Sequence, residues 1–318
     1  MNKFTVLVTS PFFGSSNPEP FHLLEENGGR ILRLELNGRN LEELIAEHLS
    51  KVDAVIAGLE TYNEDLLQKM KRLKVISRYG VGYDNIHMPS ARKQGICVTV
   101  TPGVNSASVA EMAFALLLCC ARKIVPMNRL ICAGCKIKAL PSSAVYGKTL
   151  GVLGTGQIGR HMIRFASGFG MNILANDIYP NLEFVQKYGG HYVDLETLFR
   201  EADFITLHIP LTENTYGLVD AKLLHLMKPT AILINTARGG IVDEAALYEA
   251  LKTHMLLGAG LDATLGEQPH KNRLAELENC IVTPHAGALT AEAIYDMGML
   301  AAKNVLDVLN QRECQYTV

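Results

Sequence analysis

The chain has 318 residues, 48% of them hydrophobic and 19% charged, with a formal net charge of −2. That length exceeds one comfortable core and points to two domains, and the balance excludes a disordered chain. No long run of Lys or Arg is present, so nothing points to a nucleic-acid or anionic-membrane partner.

Met1 to Ser10 runs straight into a strand-like Thr5-Val6-Leu7-Val8 and lacks the apolar stretch and cleavage site of a signal peptide. Short β-branched runs then alternate with amphipathic stretches as far as Cys97. Val52 to Ala57 and Val75 to Ser77 read as buried strands, Leu41 to Leu49 and Asp65 to Lys71 as helices. Such alternation predicts a parallel sheet flanked by helices. Arg78-Tyr79-Gly80-Val81-Gly82 follows one strand, and its two glycines leave the amides of Val81 and Gly82 bare to cradle a carboxylate, although a plain tight turn fits equally.

After Thr101-Pro102-Gly103 a second series begins with an apolar helix from Ser106 to Ala121, interrupted by Glu111 and too short to span a bilayer. Cys132 and Cys135 form a C-x-x-C, read as free thiols because no second ligand pair accompanies them; no metal site is expected. The seven cysteines, an odd and scattered set, suit a reducing compartment, and a cytoplasmic location is expected. Strands follow at Thr149–Leu153, Asn172–Ala175, Phe204–His208, Ala231–Asn235, Leu257–Leu261 and Ile281–Thr283, the pattern of a doubly wound nucleotide-binding unit. A last helix, Thr290 to Asn310, is expected to return to the first domain. The fold class is therefore α/β with two Rossmann-like or flavodoxin-like domains, 1–99 with 288–318 and 100–287.

Gly154-Thr155-Gly156-Gln157-Ile158-Gly159 is a G-x-G-x-x-G set between an apolar strand and a helical segment, and Asp177 ends the next strand. Gly154 permits the turn, Gly156 admits a pyrophosphate to the backbone, and Gly159 lets helix and strand pack closely. The amides of Gln157 and Ile158 face the phosphates at the positive end of the helix dipole. Asp177 would accept the adenosine ribose hydroxyls and repel a phosphate there, so NAD is expected over NADP.

Arg238, Glu267 and His285 each fall just beyond a later strand, on the edge where ligands bind in open α/β sheets. With an ordinary pKa of about 6.5, His285 suits a general base. Glu267 would fix its tautomer and stabilise the imidazolium, and Arg238 would grip a carboxylate in two-pronged fashion. The three suit oxidation of an anionic 2-hydroxy acid.

These motifs resemble the D-isomer-specific 2-hydroxyacid dehydrogenase family, within it the short, phosphoglycerate dehydrogenase-like members. The resemblance extends over Arg78 to Ile86, Thr101-Pro102-Gly103 to Glu111, Gly147 to Gly159, His208-Ile209-Pro210, Ala237-Arg238-Gly239-Gly240, Gly258 to Asp262 and Pro284-His285-Ala286-Gly287. It implies Arg238, Glu267 and His285 as the catalytic set, further NAD contacts from His208, Ile209, Pro210, Thr236, Ala237 and Asp262, and an active site in the interdomain cleft. It also implies a homodimer formed chiefly by the segment near Ile124 to Ser142. Arg78 and Asn105 occupy positions that meet a substrate phosphate in phosphoglycerate dehydrogenase-like members, yet no further Arg follows Val55-Ile56, where Ala57-Gly58 stands. Val100 and His87 replace the usual Asn and Asp. The alternative is an NAD-binding corepressor-like protein on the same scaffold; a formate dehydrogenase-like reading is disfavoured because Glu267 stands where that group carries Gln.

Overall fold

The computed structural model describes residues 3–34, 49–135, 140–266 and 271–318. The chain divides into two compact units, Met1–Asn105 with Ala288–Val318, and Ser106–Gly287. Residues 100–105, assigned by sequence to the second domain, pack with the first: the Val100 N–H donates to the Tyr316 carbonyl and that of Thr101 to Gly80.

The first unit holds a five-stranded parallel sheet of β1 (Phe4–Val8), β2 (Gly29–Arg33), β3 (Ala54–Ala57), β4 (Val75–Arg78) and β5 (Cys97–Thr99), in the order β2-β1-β3-β4-β5. Both faces are covered, which explains the near-continuous apolar strands. Val6, Val8, Ala54, Ile56 and Val75 pack on one side with residues of the helices Glu19–Glu26 and Ala291–Leu309. Leu7, Val55, Ala57, Ile76 and Val98 pack on the other with the helices Glu64–Lys69 and Met88–Lys93. The terminal helix is fixed to β4 by Ser77 Oγ donating to the Ala301 carbonyl, and the Tyr79 hydroxyl reaches that of Ile294. The strand β2 and the helix Met88–Lys93 were not anticipated, being short and weakly periodic. The helix expected over 41–49 lies outside the described residues except for Leu49, which is in a turn.

The second unit holds seven parallel strands: β6 (Thr149–Leu153), β7 (Asn172–Asn176), β8 (His191–Tyr192), β9 (Phe204–Leu207), β10 (Ile232–Asn235), β11 (Gly258–Leu261) and β12 (Cys280–Val282). Their order is β12-β11-β10-β9-β6-β7-β8, so the direction of winding reverses between β6 and β9. The helix Ser106–Ala121 buries Ala110, Ala113, Leu116 and Leu117 beside Met162 and Ile163 of the helix Gln157–Gly168. Among the described residues no helix is long and apolar enough to cross a membrane.

Candidate active site

The glycine loop lies at the reversal point of the second sheet. Gly154 has φ +95°, and a Cβ there would come within 2.6 Å of the His208 carbonyl oxygen at the end of β9. A Cβ on Gly159 would sit 2.0 Å from the Gly154 carbonyl oxygen, so only glycine lets the helix start so close to the strand. Around Gly156 no atom lies within 4 Å of a built Cβ, leaving the backbone open to a ligand. The helix Gln157–Gly168 has no side-chain cap, so its first amides and dipole suit a pyrophosphate.

Asp177 is tied into this loop. Its Oδ2 accepts the Thr155 N–H at 2.6 Å and the Thr155 hydroxyl at 3.0 Å, while Oδ1 accepts the Tyr179 N–H at 2.9 Å. Tyr192 joins the same network through its hydroxyl, 2.8 Å from Thr155 Oγ1. Sequence reasoning assigned Asp177 to the ribose and missed Thr155 and Tyr192. Thr155 stands at a variable position of the fingerprint, and Tyr192 belongs to a two-residue strand with no periodic signal.

On the other side of the reversal, His208 Nε2 lies 2.8 Å from Thr206 Oγ1, and burial pushes its pKa down to about 3. Its Nδ1 and the Thr236 hydroxyl are buried and lack a partner among the described residues. Orphaned buried polar atoms are costly, so the ends of β9 and β10 fit a polar group supplied from outside. An open glycine loop, uncapped helix amides and these orphaned groups together fit a dinucleotide. Ile209 is partly exposed and Pro210 exposed beside them.

Register brings the polar loops of three strands together: Asn235 of β10 pairs with Leu261 of β11, which pairs with Val282 of β12. Arg238 follows the first, Asp262 the second and His285 the third. Asn235 braces the Arg238 turn, its Oδ1 accepting the Ala237 N–H and its Nδ2 donating to the Arg238 carbonyl. Arg238 Nη1 donates to the Ala237 carbonyl at 2.8 Å. A Cβ on Gly239 would lie 2.2 Å from the Thr264 carbonyl carbon, so the Arg238 turn packs directly on the segment that leads toward Glu267. Glu267 itself lies outside the described residues.

His285 has a left-handed backbone, φ +55°, uncommon for a residue with a side chain. The buried Asp262 carboxylate holds this loop: Oδ1 accepts the Thr283 hydroxyl at 2.5 Å and the Ala286 N–H at 2.8 Å, and Oδ2 accepts the Gly287 N–H at 2.7 Å. Asp262, expected as a cofactor contact, thus places its carboxylate on the histidine loop.

In the first unit Arg78 is buried, with Nη1 donating to the carbonyls of Tyr79 at 2.5 Å and Ala57 at 3.3 Å. Val81 is 44% exposed and Gly82 partly exposed, on the carboxyl edge of the sheet. Asn105 is buried and its Nδ2 donates to Met297 Sδ at 3.6 Å.

Residues 114–287 match the family model described as D-isomer specific 2-hydroxyacid dehydrogenase, NAD binding domain. The chain is 42% identical over 272 residues to a glyoxylate reductase of Thermococcus litoralis, covering 83% of this chain and 82% of that one. It is 40% identical over 308 residues to a D-3-phosphoglycerate dehydrogenase of Methanocaldococcus jannaschii, covering 96% of this chain but 57% of the relative. The crystal structure of D-lactate dehydrogenase from Aquifex aeolicus complexed with NAD and lactic acid superposes with a TM-score of 0.86 at 28% identity, covering 96% of each chain. These likenesses give no support to the corepressor-like alternative. The chain belongs to the D-isomer-specific 2-hydroxyacid dehydrogenase family and is an NAD-dependent oxidoreductase of small 2-hydroxy acids.

Proposed function

We propose that the chain interconverts a small D-2-hydroxy acid and its 2-keto acid with Arg238, Glu267 and His285 as the reacting set. The observation that carries this reading is the register that sets the Arg238 and His285 turns at the ends of β10 and β12, on either side of β11, the latter turn held by Asp262. NAD bound at the glycine loop would supply the acceptor for the hydride lost from C2 in the oxidation direction. In that direction His285 takes the proton of the C2 hydroxyl, so loss of hydride and proton leaves the ketone. Glu267 stabilises the resulting imidazolium, and Arg238 holds the substrate carboxylate and polarises the developing carbonyl. Gly156, Gln157 and Ile158 would hold the pyrophosphate in the turn that Gly154 and Gly159 permit, Asp177 would take the ribose, and His208, Ile209, Pro210, Thr236, Ala237 and Asp262 would make further contacts with the cofactor. The unit 1–105 with 288–318 binds the substrate through Arg78, Val81, Gly82 and Asn105.

A homodimer is part of this proposal. The helix Ile124–Cys132 has an apolar sequence but no buried residue, with Ile124 48% and Ile131 58% exposed, as expected of a surface covered by a second copy. The odd set of seven cysteines supports a reducing, cytoplasmic setting.

NADH consumption with glyoxylate, pyruvate, hydroxypyruvate, branched 2-keto acids and phosphohydroxypyruvate tests the reading. Turnover of at least one is expected; a folded, NADH-binding protein that reduces none of them would overturn it.

A further inference from the structure

The Asp177 carboxylate does not use its two oxygens alike. Oδ2 accepts both the N–H and the hydroxyl of Thr155, at 2.6 and 3.0 Å. Among the described residues Oδ1 accepts only the Tyr179 N–H, at 2.9 Å. A carboxylate offers about four acceptor positions, shared between its oxygens, so Oδ2 is filled and Oδ1 keeps capacity for a ligand. Asp177 is partly exposed, just beyond the carboxyl end of β7 and beside the glycine loop.

The direction of each proton behind Oδ2 is forced. An ionised carboxylate only accepts, so the single hydroxyl proton of Thr155 goes to Oδ2. Thr155 Oγ1 must then accept from the Tyr192 hydroxyl, 2.8 Å away. The Tyr192 oxygen in turn accepts the Asn181 N–H at 2.9 Å. Asn181, Tyr192, Thr155 and Asp177 thus form one directed chain of donors, in which each bond polarises the next. The chain joins the glycine loop after β6 and the loop after β7 to β8, where Tyr192 pairs with Ala175. The Tyr192 ring packs against the core that includes Ile173 and Ala175. From Asn176 to Gln186 there is no Lys or Arg, and Arg160 turns its Nε to the Thr155 carbonyl at 3.2 Å.

We propose that Thr155 and Tyr192 are specificity-determining positioning residues for the cofactor: their hydroxyls hold Asp177 by Oδ2, so that Oδ1 meets a ribose hydroxyl and its charge stands against a ribose phosphate. This rests on the assignment of Asp177 to the ribose and extends it to two side chains behind the carboxylate. A carboxylate free to rotate could turn away from a phosphate, so the tether adds discrimination that charge alone does not give.

The test titrates NADH and NADPH by fluorescence against the unaltered chain, Thr155→Val, Thr155→Ser, Tyr192→Phe and the double variant of Thr155→Val with Tyr192→Phe, with Asp177→Ser as reference. Thr155→Val keeps the shape and the N–H but loses the hydroxyl. It should reduce the preference for NADH, read as the ratio of the two dissociation constants, roughly threefold or more, chiefly by weakening NADH. Tyr192→Phe should act in the same direction, and Thr155→Ser should keep the preference of the unaltered chain. Because the two hydroxyls act in series, the double variant should lose little more than Thr155→Val alone. A preference unmoved in both Thr155→Val and Tyr192→Phe, or both cofactors weakened equally as loosened packing would give, would overturn the assignment. So would losses that multiply in the double variant. In each of these cases a lowered preference in Asp177→Ser would leave Asp177 at the ribose. A preference unmoved in Asp177→Ser would place the ribose elsewhere and remove this assignment with it.

Discussion

Asp262 accepts the backbone N–H of Gly287 at 2.7 Å, and through this bond and those to Thr283 and Ala286 one buried carboxylate fixes the loop that carries His285. A Cβ on Gly287 would stand 2.9 Å from Asp262 Oδ2, so the approach also requires glycine. Replacing Asp262 with Asn keeps an acceptor for Thr283 and Ala286 but sets an amide donor against the Gly287 N–H. Asp262→Asn should lose about 1–3 kcal/mol of stability in urea unfolding. Its kcat should fall by more than its NADH affinity; unchanged kinetics would show that the loop holds itself.

Gly156 and Gly159 separate ligand approach from packing. Gly159→Ala must displace the Gly154 carbonyl and should lower stability by about 1–3 kcal/mol together with NADH binding. Gly156→Ala meets nothing in the protein and should melt near the unaltered temperature while binding NADH at least tenfold more weakly. Melting curves and NADH fluorescence titration read both.

Asp177 serves loop and ligand together, since it accepts both Thr155 donors. Asp177→Ser should reduce discrimination between NADH and NADPH by roughly tenfold or more, and also weaken NADH itself because the loop loses its brace. Equal discrimination in the variant would place the ribose elsewhere.

His208 makes stability depend on pH. Its folded pKa, about 3, lies below the unfolded value of about 6.5, so in this window the unfolded chain binds the extra proton. The contribution is complete above the unfolded value and is lost as pH falls toward 3, at up to about 1.4 kcal/mol per pH unit. His208→Gln should flatten the decline in urea midpoint between neutral and mildly acid pH. A decline of the same slope would assign it to other groups.

Glu267→Gln removes the counter-charge proposed for the His285 imidazolium. The apparent pKa governing oxidation should then move down, with kcat falling roughly a hundredfold. An unmoved pH profile would refute that division of roles.

The sequence by itself determined the strand–helix alternation, the glycine fingerprint and the family, because each is a local pattern: strand burial on both faces writes apolar runs, and the turn at Gly154 to Gly159 admits few residues. It also placed Arg238 and His285 beyond strand ends. Only tertiary structure decided what the buried polar side chains do. Asp262 was legible as a residue next to a strand, but its partners lie up to 25 positions away, and Thr9 meets Glu60 across 51. Tyr192 and Thr155 come together because β7 and β8 pair, which a two-residue strand cannot announce. Hydrogen bonds between distant residues leave no periodicity in the chain, and the close approaches at Gly239 and Gly287 exist only once the strands are in register.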